Sequence, residues 1–274
     1  MRVWGLYSAR ELFEHVIDPP AAIEVIDVWK SFGQTPVLRG ISLQINRGEV
    51  AAIIGRSGSG KSTLLRCLNY IVEFEKGEVR VAGKAIARGS NDHNSGLLVS
   101  KSELRAVRAR MPMVFQRFNL FQHLTVLGNV VEPQRLVLGR SRAEAEQRAE
   151  AALARVGLVA RLRHHPMHLS GGEQQRVGIA RALAMDPEII LFDEPTSSLD
   201  PELVGEVLDI IRSLANDGLT MALVTHEMQF ARQTADKVYF VDSGRICEEG
   251  TPEVLFESPR EPATKAFIRA ILKG

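Results

Sequence analysis

The sequence predicts an α/β fold with a mostly parallel sheet core, an N-terminal antiparallel β part and an inserted helical subdomain. Three observations carry this. Short runs such as "EVAAIIG", "EIILF" and "TMALVT" are apolar at consecutive positions, as strands buried on both faces must be. Segments of helical periodicity follow them, so strands and helices alternate. The stretch near 120–170 lacks strand signals altogether and reads as helical.

In chain order, residues 1–22 form an extension, a flexible leader or a short amphipathic helix ending at Pro19-Pro20. It carries Glu11, Glu14 and Asp18 and no continuous apolar stretch, so it is not a signal peptide. "AIEVIDVWKSFG" and "TPVLRGISLQI" are strands divided by a glycine-containing turn. A strand at "EVAAIIG" precedes a helix over Lys61–Tyr70, and "GEVRVAGKAIA" returns to strand. Residues 89–100 are polar and glycine-rich, hence a surface loop. "ELRAVRAR" is a basic amphipathic stretch, a solvated helix face by default with phospholipid contact as the alternative, and "MPMVFQ" is a short strand. A helical subdomain is expected over about 117–170. Within it, Ser141 and Glu144 make a capping box and Gly157 supplies the stop. Then come a helix over 172–185, the strand "EIILF", and a helix with Asp200 as N-cap and Pro201 at its first position. "TMALVT", a helix from Glu227, "KVYFV" and "RICEE" complete the domain at 23–273.

Composition narrows the function. The chain has 274 residues, 45% hydrophobic and 24% charged, which is ordinary for a globular protein. A net charge of +1, without a basic run, argues against a nucleic-acid partner. Cys67 and Cys247 are far apart and fit neither a disulfide framework nor zinc spacing. His164, His165 and His168 lack companion ligands, so no metal is expected there. No apolar run approaches a membrane span, and a cytosolic location follows.

"GRSGSGKST", residues 55–63, matches G-x-x-x-x-G-K-[ST] between a strand and a helix. Gly55, Gly58 and Gly60 let the backbone wrap so that successive N–H groups face a phosphate. Arg56, Ser57, Ser59 and Thr63 complete the cradle. Lys61 sets a point charge between β- and γ-phosphates, and Ser62 offers its hydroxyl to Mg²⁺. "EIILFDEP" delivers Asp193 and Glu194 at the carboxyl end of a buried strand, where open parallel sheets bind ligands. Asp193 suits Mg²⁺, directly or through water, and Glu194 is left to activate the attacking water. His226, ending another strand, is placed to donate to a γ-phosphate oxygen or to serve as a structural hydrogen-bonder. Gln116, ending "MVFQ", is a weaker candidate for positioning water and Mg²⁺.

"LSGGEQQRV" is a second place for an anion. Ser170 and Glu173 form a capping box, but Gly171 and Gly172 occupy first-turn positions where glycine costs up to about 1 kcal/mol. Bare N–H groups at a helix start admit a phosphate.

The phosphate loop, "LSGGEQQRV", "ILFDEP", "SSLD" and "VTHEM" occur in this order at these separations. The constellation resembles the nucleotide-binding subunit of an ATP-binding-cassette (ABC) transporter, over residues 23–273. "VDSGRICEEGTPEVLFESP" and the segment from Asp200 to Arg232 are similar to the polar amino acid uptake subfamily, of the histidine, glutamine and basic amino acid type. The resemblance implies a P-loop NTPase (RecA-like) core that hydrolyses ATP with Mg²⁺. It implies that Phe32 stacks on adenine, that Ser62, Gln116 and Asp193 hold the metal, that Glu194 is the base and that His226 touches the γ-phosphate. Ser170, Gly171 and Gly172 would contact the ATP of a second ATPase subunit in a head-to-tail homodimer, with Asp200 communicating between subunits. Transmembrane permease subunits would be direct partners and a solute-binding protein an indirect one. The chain would lie on the cytoplasmic side of the inner membrane, as a peripheral protein. The alternative is an ABC ATPase of a non-import system, such as lipoprotein release or cell division, where glutamate also occurs at the position of Glu173.

Overall fold

The structure is a computed structural model that describes residues 20–89 and 96–272. The leader expected over 1–22 therefore lies, up to residue 19, outside the described residues. The strands are β1 (Ile23–Phe32), β2 (Thr35–Ile45), β3 (Val50–Gly55), β4 (Lys76–Val81), β5 (Lys84–Gly89), β6 (Gly96–Leu97), β7 (Met113–Val114), β8 (Ile189–Asp193), β9 (Thr220–Val224), β10 (Lys237–Asp242) and β11 (Arg245–Gly250). The α-helices are α1 (Lys61–Leu68), α2 (Lys101–Arg110), α3 (Val126–Leu138), α4 (Arg142–Arg155), α5 (Gly171–Leu183), α6 (Pro201–Asn216), α7 (Met228–Thr234), α8 (Pro252–Glu257) and α9 (Pro262–Leu272).

Two sheets result. The first, in the order β2-β1-β4-β5-β6, is antiparallel throughout. The second runs β11-β10-β3-β9-β8-β7 and is parallel except at the β11 edge. The continuous apolar runs are explained by burial on both faces. In β3, Ala51 and Ile53 pack with α1 and the antiparallel sheet. Ala52 and Ile54 face the other way, against α7, α8 and α9. In β8, Ile190 and Phe192 face the cluster shared by α3 to α6, while Ile189 and Leu191 face the α1 side. Fully burying a side chain such as Phe192 is worth about 1.5–3 kcal/mol.

Several local expectations change. The polar stretch at 89–100 is not only loop: Gly96–Leu97 adds an edge strand to β5, and Val99 is buried. Residues 90–95 lie outside the described residues. Ala22 is already core, and its carbonyl accepts the Ala82 N–H, so the ordered domain starts before residue 23. Asp200 stands at the N-cap position of α6, but its side chain makes no capping bond. Pro201 needs no partner for its missing N–H, and α6 is anchored by Val207, Ile211 and Leu214 in the core. At α4, Ser141 accepts from the Glu144 N–H, but Glu144 turns to Arg140 and Arg148 and closes no reciprocal box. α8 and α9 carry no signal read from the sequence; Leu255 of α8 and Phe267 and Ile268 of α9 bury them in the cluster that includes Val238 and Phe240 of β10.

Candidate nucleotide and metal site

The sheet register fixes where the functional side chains emerge. Asp193 pairs with Val224, so β8 and β9 end side by side, with Glu194 the next residue after β8 and His226 two residues past the end of β9. Val114 pairs with Phe192, so Gln116 leaves the same end of the sheet. Val241 pairs with Gly55 at the end of β3. That neighbour dictates the glycine: at φ 149°, a Cβ on Gly55 would stand 2.0 Å from the Val241 carbonyl oxygen.

The loop after β3 turns into α1 through Gly60, whose φ is 102°. A cleft of about 410 Å³ opens there, lined by Phe32, Val37, Ser57, Gly58, Gly60, Lys61, Ser62, Thr63 and Glu194. Gly55, Arg56 and Ser59 build the loop without lining the cleft. Ser59 is buried, and its carbonyl accepts the Gly244 N–H, which ties the loop to the β10–β11 turn. Lys61 is buried, and its ammonium donates to the Gly55 and Arg56 carbonyls at 3.0 Å each. Burial pushes its pKa down, against the pull of Glu194 and Asp193. Phe32 is 53% exposed at the mouth, with the Lys30 ammonium 5.1 Å from its ring centre.

Asp193 is 1% exposed. Its Oδ2 accepts from Arg66 Nη2 at 2.9 Å, and its Oδ1 has no hydrogen-bond partner among the described residues. A buried carboxylate oxygen without a partner is costly, and a hard cation would satisfy it. The donor set thus fits Mg²⁺. Glu194 adopts φ 47°, uncommon for a residue with a Cβ, and its N–H is held by the Val224 carbonyl at 2.9 Å. Its carboxylate meets His226 Nε2 at 2.9 Å. Gln116 is exposed and does not line the cleft. Sequence reasoning missed Val37 and Arg66. Arg66 lies five residues past Lys61 on the same helix, a spacing that carries no motif of its own.

Ser170, Gly171, Gly172 and Asp200 are also absent from the cleft lining. The capping box at α5 is complete: Ser170 accepts the Glu173 N–H, and Glu173 accepts the Ser170 N–H and Arg161. The glycines have a packing reason too. A Cβ on Gly172 would lie 3.1 Å from Leu203 Cβ, and one on Gly171 would lie 3.3 Å from Leu199 Cδ2. Burial pushes the Glu173 carboxyl up, but the Ser170 N–H and the Arg161 and Arg176 guanidiniums outweigh it and hold the pKa low. A depressed folded pKa means that the cap's charge stabilises fully at neutral pH and is lost on acidification. Glu173→Gln should therefore lower the melting temperature by about 2 °C at neutral pH. Calorimetry should find the difference shrinking as the pH falls below the ordinary carboxylate range and gone once the folded state also binds the proton; a gap that acidification leaves undiminished would contradict the charge argument.

A separate groove of about 500 Å³ runs beneath α4. It is spanned by the ion pairs Arg148–Asp186 and Arg155–Asp217 and holds none of the phosphate-loop residues.

Comparison with known proteins gives the family. The ABC transporter family model matches residues 38–197. The chain is 52% identical over 252 residues to the histidine/lysine/arginine/ornithine transport ATP-binding protein HisP of Escherichia coli, covering 92% of this chain and 98% of the relative. It is 51% identical to the L-cystine transport system ATP-binding protein TcyN of the same organism, over 92% of this chain and 99% of the relative. Among solved structures, a dimeric post-hydrolysis state of the ATP-binding cassette MJ0796 bound to ADP and Pi superposes with a TM-score of 0.72 at 33% identity. It covers 84% of this chain and 98% of that one. The chain therefore belongs to the ABC transporter family as an ATP-hydrolysing, nucleotide-binding subunit.

Proposed function

We propose that this chain energises uptake of a polar amino acid through an ABC importer. It works as a head-to-tail dimer on the cytoplasmic face of membrane permease subunits. The observation that carries the reading is the meeting of Lys61, Ser62, Asp193, Glu194 and His226 at the carboxyl ends of β3, β8 and β9. No helix among the described residues is long and apolar enough to cross a membrane, so translocation falls to partner subunits. The relatives' names give the substrate class: histidine, lysine, arginine, ornithine and cystine are all polar amino acids.

Each residue has a separable task. The loop 55–63 and the α1 N-terminus hold the phosphates through backbone N–H groups. Lys61 balances the β- and γ-phosphate charge, and Phe32 offers its exposed face to the adenine. Asp193 and Ser62 would hold Mg²⁺, with Gln116 approaching from the same end of the sheet, and the metal would supply charge neutralisation at the transferred phosphate. Glu194 accepts a proton from the attacking water, and His226 fixes the carboxylate and reaches the γ-phosphate. Ser170, Gly171 and Gly172 lie outside the chain's own cleft, which suits contact with a partner's ATP, and exposed Asp200 lies beside the same face. Glu173 is engaged by its cap and by Arg161, so its identity reports helix stability and does not favour a non-import system.

The test is transport. Cells carrying this chain with its permeases and solute-binding protein should accumulate labelled histidine, arginine or cystine in an ATP-dependent manner. Lys61→Ala should remove accumulation. ATP turnover by the complex without stimulation by any polar amino acid would refute the import reading.

A further inference from the structure

We infer that Arg66 is a positioning residue for the metal: it fixes the Asp193 carboxylate so that its free oxygen faces the cation. The inference rests on Asp193 being the metal carboxylate. Arg66 sits on α1, the helix that the phosphate loop opens, and Asp193 ends β8. The bond from Arg66 Nη2 to Asp193 Oδ2, at 2.9 Å, therefore locks the phosphate-binding element to the metal-binding strand. The two carboxylate oxygens are unlike. Oδ2 is used by Arg66, whereas Oδ1 is buried without a partner among the described residues. Asp193 is almost wholly enclosed, and among the described residues Arg66 is the hydrogen-bond partner of its carboxylate. The Arg66 side chain is 42% exposed, yet it leans inward to this one carboxylate. A guanidinium suits the task because its planar fork defines a direction as well as a charge. Outer partners that orient a metal-ligating side chain commonly govern affinity by 10–100-fold.

Mn²⁺ titrated into the full chain with ATP, and followed by electron paramagnetic resonance, reads the effect. Arg66→Met should weaken Mn²⁺ binding by about 10–100-fold. ATP affinity measured in chelator, without divalent metal, should stay within about threefold of wild type, which a general collapse of the loop would not allow. Arg66→Lys keeps charge and reach but not the fork, and should fall between the two. Circular dichroism checks that each variant is folded. Asp193→Asn, titrated alongside, separates the two ideas. If Asp193→Asn weakens Mn²⁺ binding and Arg66→Met does not, the positioning role is wrong while the metal assignment stands. If Asp193→Asn binds Mn²⁺ as well as wild type, the metal assignment itself fails. Tighter Mn²⁺ binding by Arg66→Met would make Arg66 a competitor of the cation and overturn the inference.

Discussion

Glu194→Gln should lower ATP turnover by about 10²–10⁴-fold, the range expected when a general base is removed. The substitution keeps the shape of the side chain and one acceptor oxygen. It therefore isolates proton acceptance from packing. The backbone supports the same conclusion. Glu194 holds a left-handed φ of 47°, a conformation that costs about 1–3 kcal/mol unless its surroundings enforce it. The Val224 carbonyl on the Glu194 N–H and the β8–β9 pairing do so. The result is a carboxylate aimed at the cleft beside Lys61 and fixed by His226 Nε2 at 2.9 Å. With the phosphate contacts assigned by the proposal to the 55–63 loop, nucleotide affinity should change by no more than about threefold, a loss confined to the transition state. Steady-state turnover and equilibrium binding of a fluorescent ATP analogue check both halves. Undiminished turnover would transfer the base role elsewhere, with His226 the next group in line.

The parts of the site legible in the sequence are those that depend on local spacing. The loop 55–63 is one contiguous element, and the roles proposed for its glycines, lysine and serine depend on position along the chain. Asp193 and Glu194 were legible because four apolar residues before them could only be a doubly buried strand. The parts that were not legible depend on pairing between distant segments. That Glu194 meets His226 follows from β8 lying beside β9, and nothing in "FDEP" or "VTHEM" alone sets that order. Arg66 escaped notice because its partner is 127 residues away. Val37 reaches the cleft only because β2 pairs with β1 and packs over α1. The Asp200 cap failed for a related reason. A proline at the first helical position and three buried aliphatic residues hold α6 without it. The edge strand at Gly96–Leu97 was hidden because edge strands need no apolar alternation.

The glycines of "LSGGEQQRV" give the second large effect, through Gly171→Asp. Two reasons for glycine coexist at this helix start, and they predict different outcomes. If close packing against Leu199 and Phe118 is the whole reason, any side chain at 171 does similar harm to the monomer. Those contacts, 3.3 Å to Leu199 Cδ2 and 3.5 Å to Phe118 Cζ, are with the ends of mobile side chains, so a Cβ is accommodated at small cost. Gly171→Ala should then fold normally and dimerise with little loss, since it also removes a glycine from a helix. If the bare N–H groups receive the γ-phosphate of a partner's ATP, a carboxylate at 171 places like charges face to face. At about 4 Å and an effective dielectric near 20 the repulsion is about 4 kcal/mol, or roughly a 10³-fold loss of ATP-dependent dimer. The monomer's own cleft does not include residue 171, so its affinity for ATP should be unchanged. Sedimentation velocity in the Glu194→Gln background, where slow hydrolysis preserves the bound ATP, measures the dimer directly. Equal dimerisation by the alanine and aspartate variants would leave packing as the only reason for the glycine and remove the head-to-tail contact from the mechanism.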